Sequence, residues 1–428
     1  MKRLLINLSV LFALIICQTN YAKPAGSAFI ISSNANAIYV NSTIPNHTYT
    51  QAGIKLNSSN YNLKYAGFEC TMSSNGYCLF SVNDKQPTAI TIIGPAGKIN
   101  FTLCLNGSGP FSCQQYSVVR TAPKFAYVTN GGNDTVSLCS LNPNGSIVTC
   151  NAYPGFDAAG NNTFSFGGAS GGSGITLNTE HTIAYITNYQ NSTISICKVN
   201  SDGTFGVCSA SNGNGTFQNP TGSIALNTKR KLAYIGNFAS QTISICPINT
   251  DATFGTCTTF SGNGTFGIGP LQGPTQVMLN SAATLAFITT NANNISICPV
   301  NNDGSFGTCN VSNGNDTFLD TQGVSLDASE SFIYVGNAGN NTISICPLSH
   351  NGSLGTCTAS SGTPLFNFSS SSGICLFMGS ITNMGYIPNN GNDMAYLCPI
   401  NAINGSLGTC TTSTGSGTFN LPSAITLS

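Results

Sequence analysis

Charged side chains are scarce in this sequence: they make up 6% of its 428 residues, whereas ordinary soluble domains have roughly 25%. Thirteen basic and thirteen acidic side chains give a formal net charge of zero. Because no excess of Lys and Arg is present to hold phosphates, we expect no nucleic-acid partner. Solubility must come instead from Asn, Ser, Thr and Gly, which are abundant between the apolar stretches.

Long hydrophobic runs are confined to the start of the chain. Lys2 and Arg3 precede an apolar run from Leu4 to Ile16, and Ala22 suits the position before a cleavage point, which is typical of a secretory signal peptide over residues 1–22. No later segment approaches the roughly 20 apolar residues of a transmembrane helix. We therefore expect an exported protein without a transmembrane span, in the periplasm, at the cell surface or outside the cell.

Histidine is rare and cysteine is abundant: His47, His181 and His350 stand against eighteen cysteines. In an exported chain this indicates a disulfide framework. Zinc is the competing interpretation, but zinc ligands typically lie two to four residues apart, whereas the recurring cysteine pairs here have at least ten residues between them. We expect no metal and no cofactor. Cys17 leaves a lipoprotein open as an alternative, although the residue before a lipidated cysteine is normally small and here it is Ile16.

Pairs of cysteines recur six times in the second part of the chain, each with a polar turn midway between its members. In order they are Cys139 with Cys150, Cys197 with Cys208, Cys246 with Cys257, Cys298 with Cys309, Cys346 with Cys357, and Cys398 with Cys410. Successive first cysteines lie 48 to 58 residues apart, a period expected of propeller blades rather than of helical solenoids. We expect each pair to form a disulfide within its own blade.

Each repeat reads as four antiparallel strands, which in the second copy are residues 174–178, 183–188, 193–199 and 204–208. Asp202-Gly203 is typical of a two-residue hairpin turn, and this turn places Cys197 opposite Cys208. Strict two-residue geometry would make them a hydrogen-bonded pair, in which side chains point further apart; a local bulge would relieve this. Each bridge should contribute about 2–3 kcal/mol by restricting the unfolded chain.

The end of the chain matches the first strand of the other repeats. Ile425-Thr426-Leu427 resembles Ile175-Thr176-Leu177, whereas the first repeat, which starts at Phe125, has no such strand close before it. Circular closure by the C-terminal strand follows. The prediction is an all-β propeller over residues 121–428 with six blades; a seventh would need strands from the N-terminal region.

One cysteine of the propeller has no obvious partner. Cys375 lies in the stretch Ile374-Cys375-Leu376, which we take as the first strand of the sixth blade. No histidine accompanies it in its own blade, so we interpret it as a packed free thiol rather than as a nucleophile.

Residues 24–120 lack the repeat. Short alternating stretches bounded by Gly, Pro and Asn predict a small β-sandwich there. Cys70 with Cys78, and Cys104 with Cys113, are close enough in sequence to form local disulfides.

Two strings of the repeat carry a family resemblance. Ala126-Tyr127-Val128-Thr129-Asn130 and Ala184-Tyr185-Ile186-Thr187-Asn188, each followed by a polar turn and a Val-Ser or Ile-Ser strand, resemble the YVTN β-propeller repeat family. The match covers residues 125–428. The family is similar to the seven-bladed lactonase-like propellers of bacteria and archaea, so the resemblance implies an exported or surface-located propeller. It implies no catalytic residue at any position here.

One face of the expected propeller is rich in asparagine. It carries the connections from second to third strands and the connections between blades, where a Gly-Asn-x-Thr-Phe theme recurs at 213–217, 262–266 and 314–318. The candidate ligand-binding residues are Asn130, Asn188, Asn237, Asn337 and Asn389. A neutral ring of amides and hydroxyls suits a carbohydrate or a protein partner. In the alternative interpretation Asn and Gly only form turns, and the Phe fills the gap between blades.

Two functions fit this pattern. The first is a non-catalytic binding protein for a carbohydrate or a protein. The second is a lactonase-like hydrolase acting on a small sugar lactone, which needs an acid–base group directed into the central cleft. Glu180, His181 and Glu330 fall in turns between first and second strands, on the opposite face, and form no convergent cluster. We therefore expect binding and no catalytic residue.

Calcium is a further candidate ligand. Asp134, Asp316 and Asp393 each occupy a Gly-Asn-Asp turn. A single carboxylate per turn makes a poor calcium site, so we expect none.

Overall fold

The computed structural model describes residues 29–428, except 34–36, 43–48, 57–61, 66–67, 70–77, 83–87, 94–96, 107–111, 121–124, 143, 169–171, 263–265, 267–272, 328, 369–376, 380–383 and 402. The chain divides into two compact units, residues 1–121 and 122–428. The predicted signal peptide lies outside the described residues. Among those residues no helix is long and apolar enough to cross a membrane.

The first unit contains two antiparallel sheets. Its strands are β1 Phe29–Ser33, β2 Ala37–Ser42, β3 Tyr49–Leu56, β4 Asn62–Tyr65, β5 Phe68–Glu69, β6 Cys78–Val82, β7 Thr88–Ile93, β8 Gly97–Asn106 and β9 Ser112–Arg120. One sheet has the order β1-β2-β7-β4-β5 and the other β6-β3-β8-β9. The packing of the two as a sandwich stays a prediction.

The cysteines of this unit are described in part. Cys104 is disulfide-bonded, and the register of β8 and β9 sets Cys113 opposite it, as the sequence predicts. Cys70 lies outside the described residues, so its pairing with Cys78 stays a prediction.

The second unit is a propeller of six four-stranded antiparallel sheets. The first blade has β10 Phe125–Asn130, β11 Thr135–Leu141, β12 Ile147–Tyr153 and β33 Pro422–Leu427; the second has β13 Ile175–Leu177, β14 Ile183–Asn188, β15 Thr193–Val199 and β16 Phe205–Ser211; the third has β17 Pro220–Asn227, β18 Leu232–Asn237, β19 Thr242–Pro247 and β20 Thr258–Phe260. The fourth blade has β21 Gln276–Leu279, β22 Leu285–Thr289, β23 Ile295–Pro299 and β24 Asn310–Ser312; the fifth has β25 Thr321–Leu326, β26 Phe332–Asn337, β27 Thr342–Pro347 and β28 Thr358–Ser360; the sixth has β29 Phe377–Gly379, β30 Met384–Asn389, β31 Met394–Pro399 and β32 Thr411–Ser413. Single turns of 3-10 helix span Gly213–Gly215 and Gly415–Gly417.

The second and third strands of every blade are buried on both faces. In β14, for example, every residue from Ala184 to Asn188 is buried, because each sheet is packed between two others. One apolar cluster joins Tyr185 and Ile194 of the second blade to Ala233 and Ile235 of the third. This stacking explains why these strands are apolar or small on both faces instead of alternating with polar residues.

The ring closes through the C-terminal strand, as the sequence predicts. β33 pairs antiparallel with β10, with Ala126 opposite Leu427 and Val128 opposite Ile425. Ser428 extends this pairing by donating its backbone N–H to the carbonyl of Phe125 at 3.0 Å. The last strand is thus the first strand of the first blade, and the blade number is six.

Each blade carries the disulfide that the sequence predicts, between its third strand and the segment that follows the hairpin. The cysteine Cα atoms of the six bridges lie 4.0 to 4.2 Å apart. All six predicted pairings are confirmed: Cys139 with Cys150, Cys197 with Cys208, Cys246 with Cys257, Cys298 with Cys309, Cys346 with Cys357, and Cys398 with Cys410.

The hairpin that presents the disulfide differs from the prediction. Asn200 donates its N–H to the carbonyl of Thr204, and Gly203, with φ of 85°, donates to the carbonyl of Asn200, both at 2.9 Å. The loop therefore has three residues, with a left-handed residue last, and the two-residue turn centred on Asp202-Gly203 was wrong.

A bulge then restores the register of the cysteines. The pairing of β15 with β16 shifts between Cys197 and Val199, so that Cys197 lies opposite Cys208. Their Cα atoms are 4.0 Å apart, which fits the close, non-hydrogen-bonded pair rather than the wide one. The bulge that the sequence left open is confirmed, and it resolves the conflict with strict turn geometry.

The predicted first strand of the sixth blade, residues 374–376 with Cys375, lies outside the described residues. The described strand β29 begins at Phe377, and Met378 pairs with Gly385 as Leu177 pairs with Ala184 in the second blade. Met378 therefore corresponds to Leu177. It lies two positions after Leu376, the residue that the sequence comparison aligns with Leu177.

Candidate functional site

The connections from second to third strands and the connections between blades share one face of the propeller, here called the upper face. Phe238 donates its backbone N–H to the carbonyl of Asn219 at 3.1 Å, Gln190 to Ser165 at 3.2 Å and Gly391 to Asn367 at 3.1 Å. The upper face is therefore a layer of turns that are joined to each other by backbone hydrogen bonds.

The five predicted ligand-binding asparagines lie under this layer. Asn130, Asn188, Asn237, Asn337 and Asn389 are all completely buried. In each, the side-chain oxygen accepts a backbone N–H from the connection that enters the blade; for Asn188 the donor is Ser165, at 3.1 Å. This geometry does not support direct ligand binding by these five side chains.

The amide nitrogens of four of the five asparagines are engaged as well. Asn188 Nδ2 donates to Ser195 Oγ at 2.8 Å, and Ser195 Oγ donates to Thr163 Oγ1 at 2.9 Å. The same bond from asparagine to the serine seven residues later occurs at Asn130, Asn237 and Asn337. In the sixth blade Tyr396 replaces the serine, and Asn389 Nδ2 has no hydrogen-bond partner among the residues that the structure describes. The recurring asparagine is therefore an anchor for the incoming connection.

The Gly-Asn-x-Thr-Phe theme also has a structural explanation. Gly213 has φ of 59°, and a Cβ atom there would come within 2.5 Å of the Phe217 ring. Phe217 is 1% exposed and belongs to the apolar cluster between the second and third blades. Glycine is needed both for the left-handed backbone and for the ring that lies on it. The interpretation that this Phe fills the gap between blades is confirmed.

Two of the three calcium candidates hold neighbouring connections in place. Asp134 and Asp393 have positive φ, and each accepts a backbone N–H at 2.6 Å, from Phe166 and Leu421 respectively. Asp316 accepts a hydrogen bond from Asn313 Nδ2 at 2.6 Å. Within the part of the chain that the structure describes, no group of three His, Cys, Asp or Glu residues is arranged to hold a metal ion.

The opposite, lower face carries the turns between first and second strands and the hairpins with the disulfides. Glu180 accepts a hydrogen bond from Asn178 Nδ2 at 3.0 Å. Glu330 accepts the backbone N–H of Ser281 in the neighbouring blade, and burial raises the pKa of Glu330. His181 is exposed beside Glu180. Glu180 and His181 are thus neighbours in one turn of the second blade, whereas Glu330 contacts Ser281 of the fourth blade, so the three do not converge on one site.

A basic residue of the lower face is engaged in the same way. Arg230 donates from Nε to the carbonyl of Asn302 at 2.9 Å and from Nη1 to the carbonyl of Ala283 at 3.2 Å. It therefore links the third blade to the fourth.

A ring of tyrosine hydroxyls was missed in the sequence. Tyr185, in the second strand of one blade, donates its hydroxyl to the carbonyl of Ala252 in the hairpin of the next blade at 2.9 Å. The same contact recurs from Tyr127 to Gly203, Tyr234 to Gly304, Tyr334 to Gly405 and Tyr386 to Gly145. Burial raises the pKa of Tyr127 and Tyr185 to about 12. Only the fourth blade has a phenylalanine, Phe287, at this position.

One position of the upper face is aromatic in two adjacent blades. The residue after the buried asparagine is Tyr189 in the second blade and Phe238 in the third, whereas Gly131, Ala338 and Asn390 occupy this position elsewhere. Both aromatic side chains are partly exposed, and their ring centroids are 6.3 Å apart at an interplanar angle of 53°. The anchoring network does not explain this pair.

Comparison with known proteins yields structural likeness only. The chain is similar to a candidate 6-phosphogluconolactonase of Bacteroides fragilis, with 14% identity and a TM-score of 0.49, over 78% of this chain and 95% of that one. It is also similar to a periplasmic gluconolactonase of Pseudomonas aeruginosa (11%, 0.45, 88% and 99%) and to a chain of a nidogen/laminin complex (13%, 0.49, 71% and 97%). No protein-family model and no curated protein matches the chain.

Proposed function

We propose that this protein is an exported, non-catalytic binding protein that holds an uncharged carbohydrate or a protein partner on the upper face of its propeller. The observation that carries the proposal is that these polar side chains around the ring are held by hydrogen bonds within the protein. The buried asparagines hold connections, the candidate carboxylates accept backbone or amide hydrogens, and Arg230 donates to two carbonyls. A surface built in this way is rigid, which lowers the entropic cost of binding.

Export is supported by the disulfides. Six bridges in one unit are stable in an oxidising compartment and rare in the cytosol. The apolar N-terminal segment supports the same location.

A lactonase-like hydrolase is the alternative, and it requires an acid–base pair that touches the substrate. Glu180 and His181 lie in one outer turn of the lower face, and Glu330 accepts the backbone N–H of Ser281 in another, so the three do not form a convergent group that supports hydrolysis.

The test measures binding and turnover on the same purified protein. We expect saturable binding to a glycan or protein array, together with hydrolysis of a panel of sugar lactones at the rate of the buffer alone. Saturable lactone hydrolysis that falls when Glu180→Gln or Glu330→Gln is introduced would overturn the proposal.

A further inference from the structure

We infer that Tyr189 and Phe238 form a stacking platform for the pyranose rings of a neutral oligosaccharide. This inference rests on the proposed binding function and names both the ligand class and the place on the upper face. It depends on four features of the second and third blades: the aromatic pair, the backbone that fixes it, the free tyrosine hydroxyl, and the uncharged surroundings.

The aromatic pair is held in place by the connection between the two blades. Asn219 Nδ2 donates to the carbonyl of Tyr189 at 2.9 Å, and the carbonyl of Asn219 accepts the backbone N–H of Phe238 at 3.1 Å. Gly273 approaches Phe238 from the other side so closely that a Cβ atom there would lie 2.0 Å from the Phe238 carbonyl oxygen. Both rings are therefore carried on backbone that cannot move apart without breaking several contacts.

The hydroxyl of Tyr189 differs from the hydroxyls of the strand tyrosines. Five strand tyrosines donate to the hairpin of the next blade, whereas no residue in the described part of the chain is hydrogen-bonded to the Tyr189 hydroxyl. Like any tyrosine hydroxyl it is protonated at neutral pH, and partial burial raises the pKa of Tyr189 further. It can donate to, or accept from, a hydroxyl group of a sugar.

The surroundings of the pair are polar and uncharged. The segments 188–192, 212–219 and 237–241 contain no Asp, Glu, Lys, Arg or His. Gln190 and Gln218 are exposed beside the two aromatic residues. Apolar ring faces with a few amide groups at the margin match the chemistry of a pyranose, which has an apolar C–H face and an edge of hydroxyls.

The lower face differs in charge. Among the described residues of the propeller, the lysines and arginines are Lys198, Lys229, Arg230 and Lys231, and all four lie toward the lower face, at the end of β15 or in the turn between β17 and β18. An anionic ligand would therefore find its partners there rather than at the platform. This separation favours a neutral sugar over an acidic one as the occupant of the upper face.

The experiment uses the absence of tryptophan in the chain. Phe238→Trp introduces a single tryptophan into the platform, whose emission can be excited selectively over that of the tyrosines, and Phe156→Trp introduces a control at a side chain that is 50% exposed, on the connection from the first to the second blade. Maltohexaose, cellohexaose and chitohexaose serve as neutral probes, and hexagalacturonate as the charged counterpart. We expect at least one neutral hexaose to shift the emission of the Phe238→Trp variant saturably and to leave that of the Phe156→Trp variant unchanged.

Titration calorimetry of the wild-type protein and of its alanine variants, none of which contains tryptophan, completes the test. For the hexaose that binds, we expect Tyr189→Ala and Phe238→Ala each to raise Kd roughly tenfold, and Phe156→Ala to leave it unchanged. Equal Kd values for the wild type and both platform variants would overturn the inference and leave the proposed binding function standing. Failure of every neutral hexaose to bind, or binding of hexagalacturonate alone, would also overturn the inference. Saturable lactone turnover is the separate result that would overturn the proposed function itself.

Discussion

Tyr386 of the sixth blade donates its hydroxyl to the carbonyl oxygen of Gly145 in the first blade at 2.7 Å, although the two residues lie 241 positions apart in sequence. Neighbouring blades along the chain are joined by the same contact at separations of 67 to 76 positions. The closing interface of the ring is thus built like the sequential ones. The final strand and this tyrosine together make the first and last blades equivalent neighbours.

Removing the closing hydroxyl should therefore weaken the ring. Tyr386→Phe leaves the carbonyl of Gly145 without this donor, and we expect a loss of about 1 kcal/mol in the free energy of unfolding. Denaturant unfolding followed by circular dichroism measures it.

The fourth blade supplies the matched control. Phe287 occupies the tyrosine position there, so Phe287→Tyr should add a bond to the hairpin of the fifth blade at Gly352 and leave stability equal or higher. A clear loss with Phe287→Tyr, or none with Tyr386→Phe, would show that these hydroxyls do not join the blades.

The C-terminal strand should be required for stability of the whole propeller. Ending the chain at Leu421 removes β33, all of whose residues are buried, and exposes the edge of β10. We expect a large fall in Tm, and partial recovery when a synthetic peptide of residues 420–428 is added. Removal of Ser428 alone is the control and should change Tm little. An unchanged Tm after truncation would contradict circular closure.

Each disulfide should stabilise its own hairpin. The double variant Cys197→Ser with Cys208→Ser opens a loop of ten intervening residues, and we expect a loss of about 2–3 kcal/mol. The same change at Cys346 and Cys357 provides a comparison in a blade of similar sequence. Peptide mapping without reduction should recover each pair within one blade, and a bridge between blades would refute the assignment.

The hairpin aspartates should make the propeller sensitive to acid. Hydrogen bonds from Thr204, Thr253 and Ser305 lower the pKa of Asp202, Asp251 and Asp303 below the ordinary 3.8. A carboxylate with a lowered pKa stabilises the fold above its unfolded pKa, and this contribution is lost as the pH falls through the folded pKa. We expect Tm to decline below about pH 4.

Three other blades provide the control for this pH dependence. Asn144, Asn351 and Asn404 accept the same backbone hydrogen bonds, at 3.0 to 3.1 Å. The triple variant Asp202→Asn, Asp251→Asn and Asp303→Asn should lose the contribution of the charged carboxylates at neutral pH, and should therefore be somewhat less stable there and show a shallower decline in acid. An acid profile identical to that of the wild type would mean that other carboxylates cause the decline.

The repeat allowed the architecture to be predicted for two reasons: its cysteine pairs restrict how the strands can pair, and its C-terminal strand must complete the first blade. Cysteines at fixed spacing had to lie opposite each other, and Ile425-Thr426-Leu427 had only one blade left to complete. The turn type failed because Asp-Gly suits both a two-residue loop and the last two positions of a three-residue loop. Only the backbone hydrogen bonds of Asn200 distinguish them.

The sequence alone does not show in which direction the side chains of the asparagines at the ends of the second strands point. The sequence predicts Asn188 as a ligand-binding residue of the upper face, but its side-chain amide donates inward to Ser195 Oγ. A serine lies seven residues after each of four of these asparagines, and this recurring pair is the sequence pattern that could have predicted the hydrogen bond. Tyr189 carried a different signal: it departs from the repeat, and architectural positions are the ones that recur.

The central claim is that residues that recur from blade to blade stabilise the propeller, whereas Tyr189, which does not recur, serves binding. Two adjacent residues test this claim. Unfolding of Asn188→Ala and Tyr189→Ala should be measured side by side in denaturant. We expect Asn188→Ala to lose about 2 kcal/mol or more, because it leaves the part-buried backbone N–H of Ser165 and the buried hydroxyl of Ser195 without this partner, and Tyr189→Ala to lose less than about 1 kcal/mol. Equal losses, or a larger loss at Tyr189, would contradict the account.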